Sequence, residues 1–304
     1  MKTISILMPV YNEAQYVGAA IESVFERYED EDWSIELIIV DDNSTDGTLA
    51  IAHSFVEKYP RSLRVLKNET KGKNSALSMA FRNASGSFIC LFAGDDLIVN
   101  RILPIRAKVI YDSNPHGDFA TYSAISFCKI KTFSADKQFD GIVIPRRKGA
   151  GSSSGGAAMM TRGFANQVFP LPSMLPNEDT WINLVLQLAN PKVFNISEIG
   201  LNYRLHKDNS HSRYASYHEH SEAMWKRGRA ALFFYCQHQA SMNAKTERKI
   251  VKLIAIEALK YLGASSALML LRGVDLRDRV AALLNASDAA YTLKLRFYRF
   301  FVGR

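Results

Sequence analysis

An α/β fold is what this 304-residue sequence predicts: a mostly parallel central sheet flanked by helices, with a C-terminal helical region. Three observations carry the prediction. Short, nearly continuous apolar runs recur through the first hundred residues, as strands buried on both faces require. Segments with apolar residues at helical spacing separate those runs. From Tyr217 onward one helical pattern follows another. Strand and helix in alternation imply parallel strands, because a parallel neighbour is reached only through a long crossover.

The elements follow in order. Residues 4–10 (Ile-Ser-Ile-Leu-Met-Pro-Val) form the first buried strand. Residues 14–25 are helical, with Val17, Ala20, Ile21, Val24 and Phe25 on one side. Residues 35–40 are the second strand, and 46–59 a helix begun by the capping-type residues Asn43, Ser44 and Thr45. A short strand at 63–66, a helix at 75–82 and a buried strand at 88–92 come next. Residues 102–111 are helical and stop before Asn114-Pro115. Beyond 116 the pattern changes to irregular strands at 119–133 and 141–144, a Gly/Ser-rich loop at 149–156, a helix at 180–188 and an extended segment at 193–205. The expected organisation is one domain over 1–214, divided at 116 where the pattern changes, and a helical region over 215–304.

Composition excludes several classes. Hydrophobic residues at 47% and charged residues at 22% are ordinary for a globular chain, not a disordered one. Three scattered cysteines, Cys90, Cys128 and Cys236, make neither a disulfide framework nor a zinc pattern. They point to a reducing compartment, so cytoplasmic location is the expectation. The run at 4–10 is too short for a signal peptide, and the apolar stretch 261–271 is too short to span a bilayer. Net charge is +8, unevenly spread: residues 1–100 carry 9 Lys/Arg against 15 Asp/Glu, and residues 201–304 carry 18 against 8. A basic tail attracts a polyanion, either nucleic acid or an anionic membrane, or is a solvated helical face.

In a parallel sheet, ligands bind at the carboxyl ends of the strands. Asp41-Asp42 follows the second strand and Asp95-Asp96 a later one, so both pairs project from one edge. Their mutual repulsion calls for a divalent cation or for donor groups on a ligand. Carboxylates without thiols favour magnesium or manganese shared with phosphate oxygens. Helix N-capping is the alternative for either pair. Glu178-Asp179 opens a later helix, a common place for acidic side chains. Lys71 and Lys73 flank Gly72 before another helix, as phosphate contacts or as surface charge. No P-loop and no GxGxxG motif is present.

Taken together, these motifs resemble the family 2 glycosyltransferases, inverting enzymes with the GT-A fold, over about residues 3–210. Ser5-Ile6-Leu7-Met8-Pro9-Val10-Tyr11-Asn12-Glu13 resembles the family's opening strand and nucleotide loop. Val40-Asp41-Asp42-Asn43-Ser44-Thr45-Asp46-Gly47-Thr48 is similar to its second-strand signature, with Asn43 where glycine is usual. Asn68-Glu69-Thr70-Lys71-Gly72-Lys73-Asn74-Ser75-Ala76 and Gly86-Ser87-Phe88-Ile89-Cys90-Leu91 follow in the family's order. The metal motif departs from the usual form, since Ala93 stands at its first aspartate while Asp95 and Asp96 remain.

The resemblance implies a set of roles. Asp42, with Asp41 beside it, would accept hydrogen bonds from the base or ribose of a nucleotide sugar, framed by Pro9, Tyr11 and Glu13. Lys73 would meet base or phosphates, and Arg204 phosphate or metal. Asp95, Asp96 and His206 would hold a divalent cation, Mn or Mg, with Asp95 also facing the donor. Asp179 would be the base that deprotonates the acceptor hydroxyl, supported by Glu178. The Gly/Ser loop would form the floor between donor and acceptor. The implied function is transfer of a sugar, from a UDP-sugar first, to a hydroxyl of a glycan or lipid-linked acceptor in surface polysaccharide synthesis. The C-terminal helices and the basic, aromatic tail 293–301 raise the hypothesis of peripheral attachment to the inner face of the membrane. The rival readings are a nucleotidyl or other phosphoryl transferase, a nucleotide-binding relative with weak catalysis, and a nucleic-acid-binding protein, for which no motif is found.

Overall fold

The computed structural model describes residues 2–26, 28, 30, 32–114, 117–206, 216–270 and 276–296. The chain divides into two compact units. The first is Met1–Met174 with Val185–Asp208, and the second is Leu175–Leu184 with Asn209–Arg304.

The first unit is built on a nine-stranded sheet. In chain order its elements are β1 (Lys2–Val10), α1 (Val17–Phe25), β2 (Trp33–Asp41), α2 (Thr48–Ser54), β3 (Leu63–Lys67) and α3 (Lys73–Arg82). There follow β4 (Phe88–Leu91), β5 (Leu97–Ile98), α4 (Ile102–Asp112), β6 (Ala124–Ser134), β7 (Val143–Ile144), β8 (Ala158–Thr161) and α5 (Arg162–Val168). The unit boundary runs through α6 (Asp179–Ala189), and β9 (Lys192–Leu205) closes the first unit. The strand order is β3-β2-β1-β4-β8-β6-β9-β5, with β7 paired to β6. The strands β3, β2, β1 and β4 are all parallel, as the alternating pattern predicts. Beyond β4 the sheet is mixed, because β8 runs antiparallel to both β4 and β6 while β9 is parallel to β6.

Two apolar layers explain the long hydrophobic runs. Ile4, Ile6, Met8 and Val10 of β1 share a core with Val17, Ala20, Ile21 and Val24 of α1 and with Ile102, Leu103, Ala107 and Ile110 of α4. The α1 set recurs at i, i+3, i+4 and i+7, one helical face. Truncating fully buried Ile21 to alanine removes about 2–5 kcal/mol of such packing. Leu7, Ile38 and Ile89, equally buried, point to the opposite layer, where Ala76, Leu77 and Ala80 of α3 lie. At the amino end of the sheet Glu36 gathers the Ser5 hydroxyl (2.6 Å), the Ser85 and Gly86 amides (2.6 and 3.0 Å) and Arg64 (2.7 Å). A Cβ on Gly86 would stand 2.5 Å from the Ser5 hydroxyl, so only glycine fits there.

Several elements depart from the pattern. Helix α2 stops at Ser54 rather than 59, because the chain tightens into turns in which the Phe55 amide bonds to Ala52. Residues 118–122 form a turn before β6 begins at Ala124. Helix α5, β5 and β8 have no counterpart in the sequence prediction.

The second unit is helical, with α7 (Tyr217–Gly228), α8 (Ala230–His238), α9 (Ala244–Tyr261), α10 (Ser265–Leu270), α11 (Leu276–Leu283) and α12 (Asp288–Arg296). A capping box between Ser216 and Glu219 starts α7, and the Asn243 side chain caps α9. Its core is small: Leu268, Ala282 and Ala286 with Ile256, Leu259 and Leu283 packed against them. Ring pairs supplement it, Trp225 on Tyr261 at 5.1 Å and Trp181 beside Phe234 at 5.7 Å. Among the described residues no helix is long and apolar enough to cross a membrane.

Candidate functional site

The carboxyl ends of β1, β2, β3 and β4 meet at one edge, and the loops that leave them are tied together by side chains. Between β1 and α1, the Asn12 amide donates to Ser44 (3.0 Å), the Glu13 amide to Thr48 (2.7 Å) and the Ala14 amide to Asp46 (3.1 Å). In return the Thr45 amide donates to the Asn12 side chain at 2.8 Å. Asn12 and Asn43 sit at φ 53° and 62°, left-handed positions that asparagine tolerates better than most residues.

The Asp41-Asp42 pair divides its work. Both oxygens of Asp42 accept the Gly72 amide, at 2.8 and 2.9 Å, and one also accepts the Asn68 side chain at 2.7 Å. Asp42 therefore holds the β3–α3 loop against the end of β2. Gly72 has φ 133°, outside the range of side-chain-bearing residues, as it turns into α3. Asp41 is 1% exposed; its Oδ2 accepts the Ser44 amide at 3.1 Å, while its Oδ1 has no partner among the described residues. Of the pair, Asp41 retains the open acceptor. Pro9 is buried in β1 beside Val40, and Tyr11 is exposed with the Lys71 ammonium 5.1 Å from its ring.

The segment after β4 carries the second acidic pair. Asp96 is 3% exposed, and its Oδ1 accepts the Arg204 amide at 2.8 Å. Asp95 faces the His206 ring, Oδ2 to Nε2 2.9 Å. Arg204 Nε donates to the Asp95 carbonyl at 2.7 Å. The Arg204 guanidinium lies between the Tyr16 ring (4.6 Å) and the Phe133 ring (4.3 Å), a cation–π arrangement that fixes its fork. The end of β9 thus clamps the Asp95-Asp96 turn. Neither Tyr16 nor Phe133 is marked by any sequence motif. Residues 207–210 of the same segment lie outside the described residues.

Glu13 completes the cluster. Its carboxylate lies where a side chain on Gly94 would be, so position 94 accepts nothing larger than glycine. Oε2 is buried without a partner among the described residues. Burial, followed by the charges of Asp95 and Asp96, pushes the Glu13 carboxyl up to about 8, with Lys73 pulling the other way. Burial and then Asp95 raise Asp96 well above the usual carboxylate range, against the Arg204 amide. A glutamate whose folded pKa exceeds its unfolded value of 4.5 binds more protons in the folded state, so its stability contribution is lost as pH rises toward 8. Glu13→Gln is accordingly expected to raise the melting temperature of the metal-free protein by several degrees at pH 8 and by little at pH 5. Melting curves at the two pH values check it; an equal shift at both contradicts the assignment.

A divalent cation suits this crowding. Among the described residues no three His, Cys, Asp or Glu side chains are arranged to hold a metal by themselves. Asp95 and His206 form a partial shell of the kind that substrate phosphates complete. Asp96 is occupied by the Arg204 amide, so Asp95 is the better placed oxygen donor of the two.

Glu178 and Asp179 belong to the second unit. Asp179 is the first residue of α6, and Asn183 donates to its carbonyl at 2.9 Å. Glu178 is buried, and its carbonyl accepts the Ile182 amide at 2.9 Å.

A family model described as Glycosyl transferase family 2 matches residues 5–126, the span that holds all four loops. Residues 5–126 are a family 2 glycosyl transferase domain. The chain is 35% identical over 110 residues to the minor teichoic acid biosynthesis protein GgaA of Bacillus subtilis (strain 168), covering 36% of this chain and 24% of that protein. The chain spans between 10% and 56% of the length of such curated relatives. Among solved structures, TarS 1-349 of S. aureus in complex with UDP-GlcNAc is similar with a TM-score of 0.55 and 19% identity, covering 99% of this chain and 87% of that one. The mannosyltransferase PcManGT of Pyrobaculum calidifontis, in complex with GDP-Man and Mn2+, gives 0.56 and 17%, covering 98% and 82%. These likenesses establish the GT-A fold for the family 2 domain.

Proposed function

We propose that the protein is an inverting glycosyltransferase that moves a sugar from a nucleoside diphosphate sugar to an acceptor hydroxyl. The observation that carries the reading is the carboxylate cluster of Glu13, Asp95 and Asp96 at the sheet edge, joined by His206 and by the open acceptor of Asp41. Asp41 Oδ1, unpartnered among the described residues, is the acceptor left to receive an N–H of the base. Lys73, at the first turn of α3, supplies positive charge toward the diphosphate. A bound Mn or Mg, held by Asp95 and His206, would neutralise charge on the departing diphosphate. By family resemblance Asp179 is the base and Glu178 its support. The acceptor oxygen attacks the anomeric carbon, the bond to the diphosphate breaks, and the hydroxyl proton passes to Asp179. Attack opposite the leaving group inverts the anomeric configuration.

UDP is the first choice of nucleotide, since TarS is described with UDP-GlcNAc, and GDP the second, from PcManGT. A glycan or lipid-linked acceptor in surface polymer synthesis fits the role named for GgaA. Nucleic acid is disfavoured as a ligand because this edge is acidic. A nucleotide-binding relative with weak catalysis is the second reading, favoured by Ala93 at the place of the motif's first aspartate.

Thermal stabilisation by UDP, dTDP, GDP and their sugars, with and without manganese, tests the donor assignment. A metal-dependent rise with one nucleotide is expected; no rise with any of them overturns it.

Peripheral membrane attachment is the accompanying proposal for the second unit. Leu262, Met269, Leu270 and Leu276 are exposed there, with Lys245, Arg248 and Lys249 exposed on α9. Residues 297–301 of the basic, aromatic tail lie outside the described residues. The full chain is expected to float with phosphatidylglycerol vesicles at low salt and to be released at about 0.5 M salt, where screening shortens to a few ångströms. Absence of flotation at low salt rejects it.

A further inference from the structure

The bulkiest fully buried side chain among the described residues is a cation. Arg106 is 1% exposed, in the middle of α4, on the face that carries Ile102, Leu103, Ala107 and Ile110 into the core. No carboxylate pairs with it among the described residues. Its Nη2 donates to the Ala157 carbonyl at 2.7 Å and reaches the Ser126 carbonyl at 3.4 Å. Nε is buried without a partner among the described residues, as is the Ser126 hydroxyl. The Cys128 thiol also approaches the Ala157 carbonyl, at 3.5 Å. Burial raises the nearby Cys90 thiol to about 11, although the Arg106 charge opposes it, so Cys90 supplies no counter-charge to the guanidinium at ordinary pH.

An ion buried without a counter-ion is costly, and a hydrophobic side chain of similar volume would pack more cheaply on this face. What the guanidinium supplies is a charge-assisted bond to one backbone oxygen. That oxygen ends the short 3-10 turn Gly155–Ala157, which leads into β8. The β4–β8 register pairs Cys90 with Met159, so two residues further on Ala157 lies level with Phe92. The turn therefore stands at the carboxyl end of β4, beside Ala93-Gly94-Asp95-Asp96. Ser126, level with Met159 on β6, anchors the guanidinium from the other side.

We propose that Arg106 is a positioning residue for sugar transfer, holding the Gly155–Ala157 turn in register with the acidic turn after β4 so that its backbone presents a fixed surface to the sugar. The assignment of a sugar to this edge rests on the glycosyltransferase reading above; the clamp itself does not. Arg106 acts through the turn and touches neither donor nor acceptor. It should therefore govern turnover and leave nucleotide affinity alone.

The test compares the full chain with Arg106→Met and Arg106→Lys in two arms. In the first, hydrogen exchange is followed by mass spectrometry. Peptides covering 151–158 in Arg106→Met should exchange at least about tenfold faster, while peptides from β1 and β2 keep their protection. Arg106→Lys keeps the charge but loses the fork, and should fall between. In the second arm, UDP release from UDP-GlcNAc and UDP affinity are measured with manganese. The rate constant at saturation should drop at least about tenfold in Arg106→Met while the UDP dissociation constant stays within about twofold, with partial recovery in Arg106→Lys. Unchanged exchange at 151–158 overturns the clamp. Unchanged turnover, or a loss of UDP affinity as large as the loss of turnover, overturns the positioning role. If neither variant melts cooperatively, Arg106 is a core-stability residue and the proposal falls. A wild-type chain that turns over no nucleotide sugar sinks the glycosyltransferase reading instead, and the exchange arm alone then judges the clamp.

Discussion

Asp179→Asn is expected to reduce turnover by about 10²–10⁴-fold, the range that one general base contributes, with donor affinity unchanged within about twofold. The amide keeps the volume and polarity of the carboxylate at the start of α6 and removes only its capacity to take a proton. Asp179 is partly exposed, so the exchange disturbs no core. Loss of a first-turn carboxylate weakens a helix start by only about 0.3–1 kcal/mol, so the melting temperature should move by a few degrees at most. The kinetic effect must exceed the stability effect by a wide margin. Steady-state kinetics with the nucleotide sugar selected by thermal stabilisation, alongside its dissociation constant, provide the measurement. Equal losses of turnover and affinity would place Asp179 in donor binding, and unchanged turnover would remove it from the reaction.

Asp95→Ala is expected to abolish the manganese-dependent part of nucleotide stabilisation and to lower turnover by about 10²–10³-fold, the scale of one lost electrostatic contact to developing charge. The apoprotein should be no less stable than wild type. Asp95 is one of the charges that push Glu13 and Asp96 upward, so its removal relieves repulsion. Asp96→Ala should behave in the opposite way. Its carboxylate receives the Arg204 amide in a buried setting, and its loss leaves that amide unsatisfied, at a cost of about 1–3 kcal/mol. Titrating manganese into each variant with the nucleotide present, together with melting curves, separates the two. A common phenotype for both variants would contradict the division between a ligand-facing Asp95 and a fold-holding Asp96.

The parallel half of the sheet was legible because its physics is local. Strands buried on both faces must be apolar throughout, and the crossovers must be amphipathic, so β1, α1, β2 and β4 announce themselves within windows of about ten residues. The antiparallel half was less legible. Strand β5 has two residues and exists only because β9 returns to pair with it. Strand β8 follows a glycine turn, and its direction is set by β4 and β6 together. Helix α5 is seven residues long, with its start fixed by the Thr161 hydroxyl on the Phe164 amide.

The site divides in the same way. Asp41, Asp42, Asp95 and Asp96 were visible as pairs at strand ends. Which member of each pair faces inward was not, because the decision is made by Gly72 and Arg204, 30 and 108 positions away in the chain. Asn12, Asp46 and Thr48 carried no separate signal, because their partners lie across the loop pair. Arg106 had no sequence signal at all, since a charged residue within a helical pattern reads as a solvent-facing position.

The bonds between the β1–α1 and β2–α2 loops bear on how a new donor preference could be installed. Each loop supplies acceptors for the other's amides: Ser44, Asp46 and Thr48 serve residues 12–14, and Asn12 serves Thr45. A chimera that imports residues 11–16 from a relative, but keeps 42–48, strands donors on one side and acceptors on the other. The two stretches form a single exchangeable cassette even though a helix and a strand lie between them in the chain. Engineering of the base pocket should move both together, and natural lineages that changed nucleotide should have changed them in step.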